Sequence, residues 1–95
     1  MIKQTQTTEE SIKVFKALAD PIRLEIIKYL SQLDHEVSCG EISQAMQISK
    51  TSGSYHFKIL QEAGLISVRK VAREKYVILD RSTFDRHLTH FWQNL

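Results

Sequence analysis

Five polar side chains fall on one face of a helix that the sequence predicts between residues 50 and 63. They are Lys50, Thr51, Ser54, Tyr55 and Lys58. A helix turns by about 100° per residue, so this spacing gathers them on one side. The other side takes up the small and apolar residues, together with one histidine: Gly53, His56, Phe57, Leu60 and Ala63. Hydroxyl, phenol and ammonium groups on a free helix face can hydrogen-bond base edges and phosphates, so this face is a candidate for contact with nucleic acid.

A cluster of cations follows the helix in the sequence. Residues 65–71 and 74–79 have the two-residue period of strands and are joined by a polar tip at 72–73, which predicts a hairpin. The cations around this tip are Arg69, Lys70, Arg73 and Lys75. Residues 50–81 contain seven Lys/Arg and three Asp/Glu, a net charge of +4, whereas residues 1–49 contain five and seven, a net charge of −2. The positive segment indicates a polyanionic partner, with these cations and Lys58 holding phosphates.

Two short helices joined by a three-residue turn are predicted between Cys39 and Leu65. Ser38 and Glu41 form a capping-box pattern before the first of these helices, which ends near Met46. Ser49 can cap the second helix, and Gly64 suits the left-handed position that closes it. This arrangement is typical of a helix-turn-helix, whose second helix lies in the major groove of DNA.

The remaining segments complete one domain over residues 1–95. A first helix is predicted from about Thr8 to Ala19, after a loose arm at residues 1–7, and a second from Pro21 to Ser31 with Asp20 as its cap. A last helix is predicted to open at a second capping-box pattern, Ser82 to Asp85, and to run to the C-terminus. The predicted fold is mainly α: four helices, a two-stranded hairpin (the wing) and a C-terminal helix, that is, a winged helix-turn-helix.

Two segments resemble signatures of the ArsR-type winged-helix repressors. They are FKALADPIRLEII at residues 15–27 and ISKTSGSYHFKILQEAGLI at residues 48–66. The resemblance implies a homodimeric repressor that binds a palindromic operator in double-stranded DNA and is released by a signal. It also implies that Lys50, Thr51, Ser54 and Tyr55 contact DNA and that His56 is partly buried. Ala72 departs from the glycine that many relatives have at the wing tip.

The metal sites of this family are incomplete in the sequence. Arsenic- and cadmium-sensing relatives have paired cysteines at the start of the third helix, where this chain has Cys39 alone. Zinc-sensing relatives have an Asp-x-His pair on the final helix, which Asp85-Arg86-His87 matches, but no second half of that site follows. Weak candidate ligands are Cys39, His35, His87 and His90, and no cofactor is predicted. We expect Cys39 to be a small, partly buried residue. A helix N-terminus can lower the pKa of such a thiol, so a metal-sensing or thiol-sensing role stays open as the alternative.

The last helix, residues 81–95, is predicted to form a dimer interface with the first helix. A domain of this size has difficulty burying all the apolar side chains of the two helices, and palindromic operators are read by two-fold dimers. The predicted interface residues are Ile12, Phe15, Phe84, Leu88, Phe91, Trp92 and Leu95. The alternative is that the last helix covers only the core of its own chain.

Composition excludes several classes of protein. Apolar residues make up 42% and charged residues 25%, which is typical of a globular domain. No apolar run approaches the roughly 20 residues of a membrane span, no signal-peptide pattern opens the chain, and a single cysteine suits a reducing compartment, so a cytoplasmic protein is expected. No nucleophile triad, phosphate loop or carboxylate pair indicates an enzyme. The alternative to a DNA-binding regulator is a winged-helix module that binds another protein.

Overall fold

The computed structural model describes the backbone of residues 2–89 and the side chains of residues 8–88. Within this range the helices are α1 (Ile2–Leu18), α2 (Pro21–Ser31), α3 (Cys39–Met46), α4 (Lys50–Glu62) and α5 (Arg81–Phe84), the last continued by a π-helical turn over Asp85–Thr89. The strands are β1 (Val37–Ser38), β2 (Ile66–Val71) and β3 (Glu74–Leu79). None of these helices has the length and hydropathy needed to cross a membrane.

The boundaries of the central helices have local causes in the sequence. The carboxylate of Asp20 accepts the backbone N–H groups of Ile22 at 2.9 Å and Arg23 at 3.1 Å, and Pro21 occupies the first helical position. Ser38 and Ser49 cap α3 and α4 in the same way. Gly64 closes α4 with φ +79°, a conformation that glycine adopts at little cost. The predicted caps of α2, α3 and α4 are confirmed.

The core lies where the four long helices meet the inner face of the sheet. Its most deeply buried side chains come from every layer: Val14, Ala17, Ile26, Leu30, Ile42, Leu60, Leu65 and Val77. Val14 and Ala17 form the buried stripe of α1, while Ile12 stays 46% exposed. Ile12, a predicted interface residue, therefore does not belong to the core of its own chain.

The sheet is antiparallel, with the strand order β1-β3-β2. Val68 of β2 pairs with Val77 of β3, which pairs with Val37 of β1, so these three valines share the inner face. The two-stranded wing of the prediction thus has a third strand at its base. Strand β1 has only two residues, which is too short for a periodic signal in the sequence. It forms because it pairs with β3.

The structure corrects the predicted starts of the first and the last helix. Helix α1 begins at Ile2, so residues 2–7 are helical instead of a loose arm. No glycine or proline interrupts residues 2–18, and a helix can extend through such a segment. At the other end α5 begins at Arg81 with Asp80 as its cap, because the Asp80 carboxylate accepts the Thr83 N–H at 3.3 Å. The capping box predicted at Ser82 is wrong by two residues.

The final helix is α-helical only as far as Phe84 within the described range. Phe84 is half-buried and packs against the core of its own chain, and Leu88 is also half-buried. His90, Phe91, Trp92 and Leu95 lie outside the described residues.

Candidate nucleic-acid interface

Helices α3 and α4 form a tight helix-turn-helix. Gln47 ends α3 in the left-handed conformation, with φ 57° and ψ 45°, and the Ile48 N–H donates to the Ser43 carbonyl at 3.0 Å. The Ser49 hydroxyl then accepts the Ser52 N–H at 3.1 Å and starts α4. Gly53 of α4 lies so close to Ser43 of α3 that a Cβ at this position would overlap the Ser43 hydroxyl. The glycine therefore permits the close crossing of the two helices.

Helix α4 has one buried face and one free face, as its sequence predicts. Gly53, His56, Phe57 and Leu60 are buried. The polar residues of the predicted contact face are all exposed: Lys50, Thr51, Ser54, Tyr55 and Lys58. Tyr55 is 61% exposed, which is unusual for an aromatic side chain and leaves its ring and hydroxyl available to a partner.

The wing extends beyond the core as a narrow two-stranded ribbon. Strands β2 and β3 pair from Ile66 with Leu79 out to Val71 with Glu74, and Ala72 and Arg73 form the turn. Ala72 has φ 55°, so alanine occupies a conformation that normally favours glycine. Lys70 and Lys75 are directly opposite each other in the register, and both are exposed. Like charges in this position destabilise a hairpin, so a bound anion would relieve the repulsion.

Arg69 differs from the other wing cations because it has a partner within the chain. Its guanidinium donates to both carboxylate oxygens of Glu36, at 2.9 and 2.7 Å, and lies 5.9 Å from the centre of the Tyr76 ring. These hydrogen bonds hold the pKa of Glu36 below its ordinary value. Arg69 also lies on the opposite face of β2 from Lys70, because side chains alternate along a strand. The structure thus separates Arg69 from the cations at the wing tip.

His56 and Arg23 form a buried polar pair behind the contact face. The Arg23 Nη1 donates to the His56 Nδ1 at 3.1 Å, and both side chains are buried. His56 is therefore a packing residue, as predicted, and does not face solvent. Arg23 has no role in the sequence prediction, although a signal was present: it falls at the first position of the helical stripe that continues with Ile26, Ile27 and Leu30. A charged residue on an apolar stripe indicates a buried polar contact.

The candidate metal ligands are not brought together in the described part of the chain. No group of three His, Cys, Asp or Glu side chains there has the arrangement of a metal site. His87 is buried, with its Nδ1 3.0 Å from the Ser11 hydroxyl and its Nε2 3.8 Å from a Glu10 oxygen. His35 is exposed beside Asp34.

The environment of Cys39 does not favour a reactive thiol. Burial raises the pKa of the Cys39 thiol, and the nearby charges of Lys75 and Glu74 act in opposite directions. The sequence left open a pKa lowered by the helix N-terminus; the direction in the structure is the opposite, because burial disfavours the charged thiolate.

A helix-turn-helix with an exposed polar second helix and a cationic hairpin beside it defines a winged-helix DNA-binding protein. The helix-turn-helix domain family matches residues 18–69 of the chain. The chain is 48% identical over 83 residues to the uncharacterized HTH-type transcriptional regulator YceK of Bacillus subtilis (strain 168), covering 87% of this chain and 83% of that protein. It is also 37% identical over 67 residues to the transcriptional repressor SdpR of the same organism, covering 70% and 72%.

The fold agrees with these sequence relationships. An ArsR-like transcriptional regulator from Rhodococcus sp. RHA1 superimposes with a TM-score of 0.81 at 25% identity, over 94% of this chain and 82% of that chain. The chain belongs to the ArsR-type family of winged helix-turn-helix transcriptional regulators.

Proposed function

We propose that this protein is a homodimeric repressor that reads a palindromic operator through α4 and holds the DNA backbone with the tip of its wing. The observation that carries the proposal is the exposed polar face of α4 beside the exposed cations Lys70, Arg73 and Lys75. A regulator of this kind works in the cytoplasm, where prokaryotic DNA lies.

The N-terminal half of α4 would enter the major groove. Ser54 and Tyr55 are the base-reading residues in this arrangement, with Lys50 and Thr51 at the start of the helix. Lys58 and the wing-tip cations would contact phosphates. Phosphate contacts supply affinity for any sequence, whereas the hydroxyl groups on α4 supply discrimination between sequences.

The dimer would use the outer side of α1 together with the final helix. Ile12 is 46% exposed although it is a large aliphatic residue, and a second copy of the chain would cover it. A two-fold axis through this face would present two copies of α4 to successive major grooves, which is how small helix-turn-helix proteins read palindromes. Phe15, Phe84 and Leu88 would contribute their partly exposed surfaces.

Release by a signal is the regulatory part of the proposal. Neither Cys39 nor His35 belongs to a group of three potential ligands in the described residues, so a metal would need ligands from a second subunit or from His90. Repression itself agrees with the relative SdpR, which is named a transcriptional repressor.

Selection of bound duplexes from a random DNA pool, followed by band-shift titration, tests the proposal. A palindromic consensus is expected, and the affinity for it should fall steeply as salt concentration rises. Ser54→Ala with Tyr55→Ala should lose about 1–3 kcal/mol of discrimination for each base contact removed. If this double variant binds the consensus as selectively as the parent, α4 does not read the bases.

The wing cations can be separated by their salt dependence. Arg73→Ala should weaken binding to all sequences alike and reduce the salt slope by about 1, because one phosphate contact is lost. Arg69→Ala combined with Glu36→Gln is the matched control, since it removes an ion pair and leaves the net charge unchanged. Equal effects of Arg73→Ala and this double variant would contradict the assignment of the wing tip.

The alternative function is a module that binds a protein partner through the same face. Such a module would select no consensus and would show no saturable binding to DNA at any salt concentration. The same titration therefore decides between the two functions.

A further inference from the structure

We infer that Arg23 and His56 are positioning residues that fix the orientation of α4 relative to α1, and that they thereby set the half-site spacing the dimer accepts. The inference rests on the proposed function, since it assumes that α1 lies at the dimer axis and α4 in the DNA. It concerns a polar pair whose two side chains are buried within the chain.

The guanidinium of Arg23 joins three helices. It projects from α2, and its Nε donates to the Ala17 carbonyl at 2.6 Å, while its Nη2 reaches the Lys16 carbonyl at 3.4 Å. Both carbonyls lie at the C-terminal end of α1. Its Nη1 donates to His56 Nδ1 at 3.1 Å, in the middle of α4. One side chain thus links the end of α1 directly to the proposed recognition helix.

The ring of His56 is held in one orientation. Arginine has only hydrogen-bond donors, so Nδ1 must act as the acceptor and the ring proton is on Nε2. The same Nδ1 is 3.9 Å from the Asp20 carboxylate that caps α2. The imidazole also meets the ring of Tyr55 edge-on, with centroids 5.2 Å apart and planes at 69°. The buried pair therefore lies directly behind an aromatic side chain of the contact face.

Hydrogen bonds of this kind fix direction as well as distance. An aliphatic pair could fill the same volume without the desolvation cost of a guanidinium, but it would let α4 rotate or slide against α1. In a two-fold dimer any such change occurs in both subunits. The separation and tilt of the two recognition helices then become less defined, and so does the spacing of the half-sites that they fit.

The test compares duplexes that carry the selected consensus with duplexes in which the two half-sites are one base pair closer or farther apart. The measured quantity is the ratio of affinities for native and altered spacing, with each titration corrected for the folded fraction. His56→Leu and Arg23→Met should each lower this ratio by about threefold or more, the size expected for the loss of a coupled contact. The double variant should lower it no further than either single variant.

His56→Asn is the conservative variant. The asparagine Oδ1 is attached to Cγ, as the histidine Nδ1 is, so it can accept the hydrogen bond from Arg23 at a similar position. This variant should keep a ratio close to that of the parent. Ile26→Val is the stability control: Ile26 is fully buried and lies outside the polar pair, so it should reduce the folded fraction without changing the ratio. If His56→Leu and Arg23→Met fail to fold, Arg23→Lys is used in their place. A lysine ammonium lacks the separate N–H donors with which the guanidinium bonds Ala17 and His56 at the same time.

An unchanged spacing ratio in the variants that remove the bond overturns the inference, as does a ratio for His56→Asn as low as that for His56→Leu. A parent protein that selects no DNA, or that binds all spacings equally, would instead overturn the proposed function. The two failures are therefore distinguishable.

Discussion

Gly53 of α4 faces Ser43 of α3 so closely that a methyl group on the glycine would occupy the position of the serine hydroxyl. This close approach is possible only because position 53 has no side chain. The next atom of Ser43, its Cβ, would be 3.6 Å from the added methyl group, an ordinary van der Waals distance. The obstacle is thus a single oxygen atom.

Gly53→Ala should destabilise the protein by about 1–3 kcal/mol, because an overpacked methyl group forces the helices apart. Adding Ser43→Ala to Gly53→Ala should restore most of the lost stability, because Ser43→Ala removes the oxygen that the new methyl group would overlap. Denaturant unfolding of the two variants gives the free energies.

Gly40→Ala is the matched control for this pair. Gly40 lies in α3, as Ser43 does, and the nearest atom to a Cβ added at Gly40 is 3.9 Å away. The alanine should be neutral or stabilising by up to about 1 kcal/mol, as expected for an exposed helical site. A Gly53→Ala protein as stable as Gly40→Ala would show that the helices are not held at this distance.

Ala72→Gly should stabilise the wing. Alanine at φ 55° bears a steric cost of about 1–2 kcal/mol, and the greater freedom of glycine in the unfolded chain would offset part of the relief. The expected gain is about 0.5–1 kcal/mol, measured by amide hydrogen exchange in β2 and β3. Arg73→Gly should give no gain, because Arg73 does not have a positive φ; equal gains for the two substitutions would rule out strain at Ala72.

Lys75→Glu should stabilise the hairpin and weaken DNA binding at the same time. The introduced carboxylate would face Lys70 across the register and replace a repulsive pair with an attractive one, a gain of about 0.2–1 kcal/mol. The change also removes a cation from the proposed phosphate contact, so the salt slope of DNA binding should fall by about 1 or more. Lys75→Gln should show a smaller gain in stability; a loss of stability with Lys75→Glu would contradict the observed register.

Stability in acid should depend on the caps at Asp20 and Asp80. The backbone N–H of Arg23 is the main cause of the lowered pKa of Asp20, and the Ser82 hydroxyl is the main cause for Asp80. A pKa lowered in the folded state means that this stabilisation is complete above the ordinary value near 3.8 and is lost as the pH falls through the lower folded value. Asp20→Asn with Asp80→Asn should flatten the stability profile below about pH 4, where the parent loses stability.

Unfolding titrations at a series of pH values measure this effect. Asp34→Asn is a suitable control, because the Asp34 side chain is fully exposed and caps no helix. A parent and a double Asn variant with parallel profiles across the acid range would exclude the two caps as the cause of acid lability.

Much of the fold was predictable because its signals are local. A cap acts within three residues of its own position, so Asp20, Ser38 and Ser49 identified the starts of three helices. The free face of α4 also followed from the sequence, because helical geometry alone separates Ser54 and Tyr55 from Phe57 and Leu60. The strand pattern located the hairpin for the same reason.

The features that escaped prediction depend on residues far apart in the chain. Strand β1 exists only through its pairing with β3, and Arg69 is neutralised by Glu36, 33 positions away. The raised pKa of the Cys39 thiol results from the burial of its site, which the neighbouring sequence does not reveal.

The sequence by itself determined where α2, α3 and α4 begin, where the hairpin lies and which side of α4 is polar, since these follow from backbone geometry and near neighbours. Only the tertiary structure decided which charges remain free. Arg23 and Arg69 carry the same guanidinium as Arg73, but the first is buried against α1 and α4 and the second is bound by a carboxylate. The physical reason is that a charge is neutralised by whatever lies within a few ångströms of it, and folding alone sets that neighbourhood.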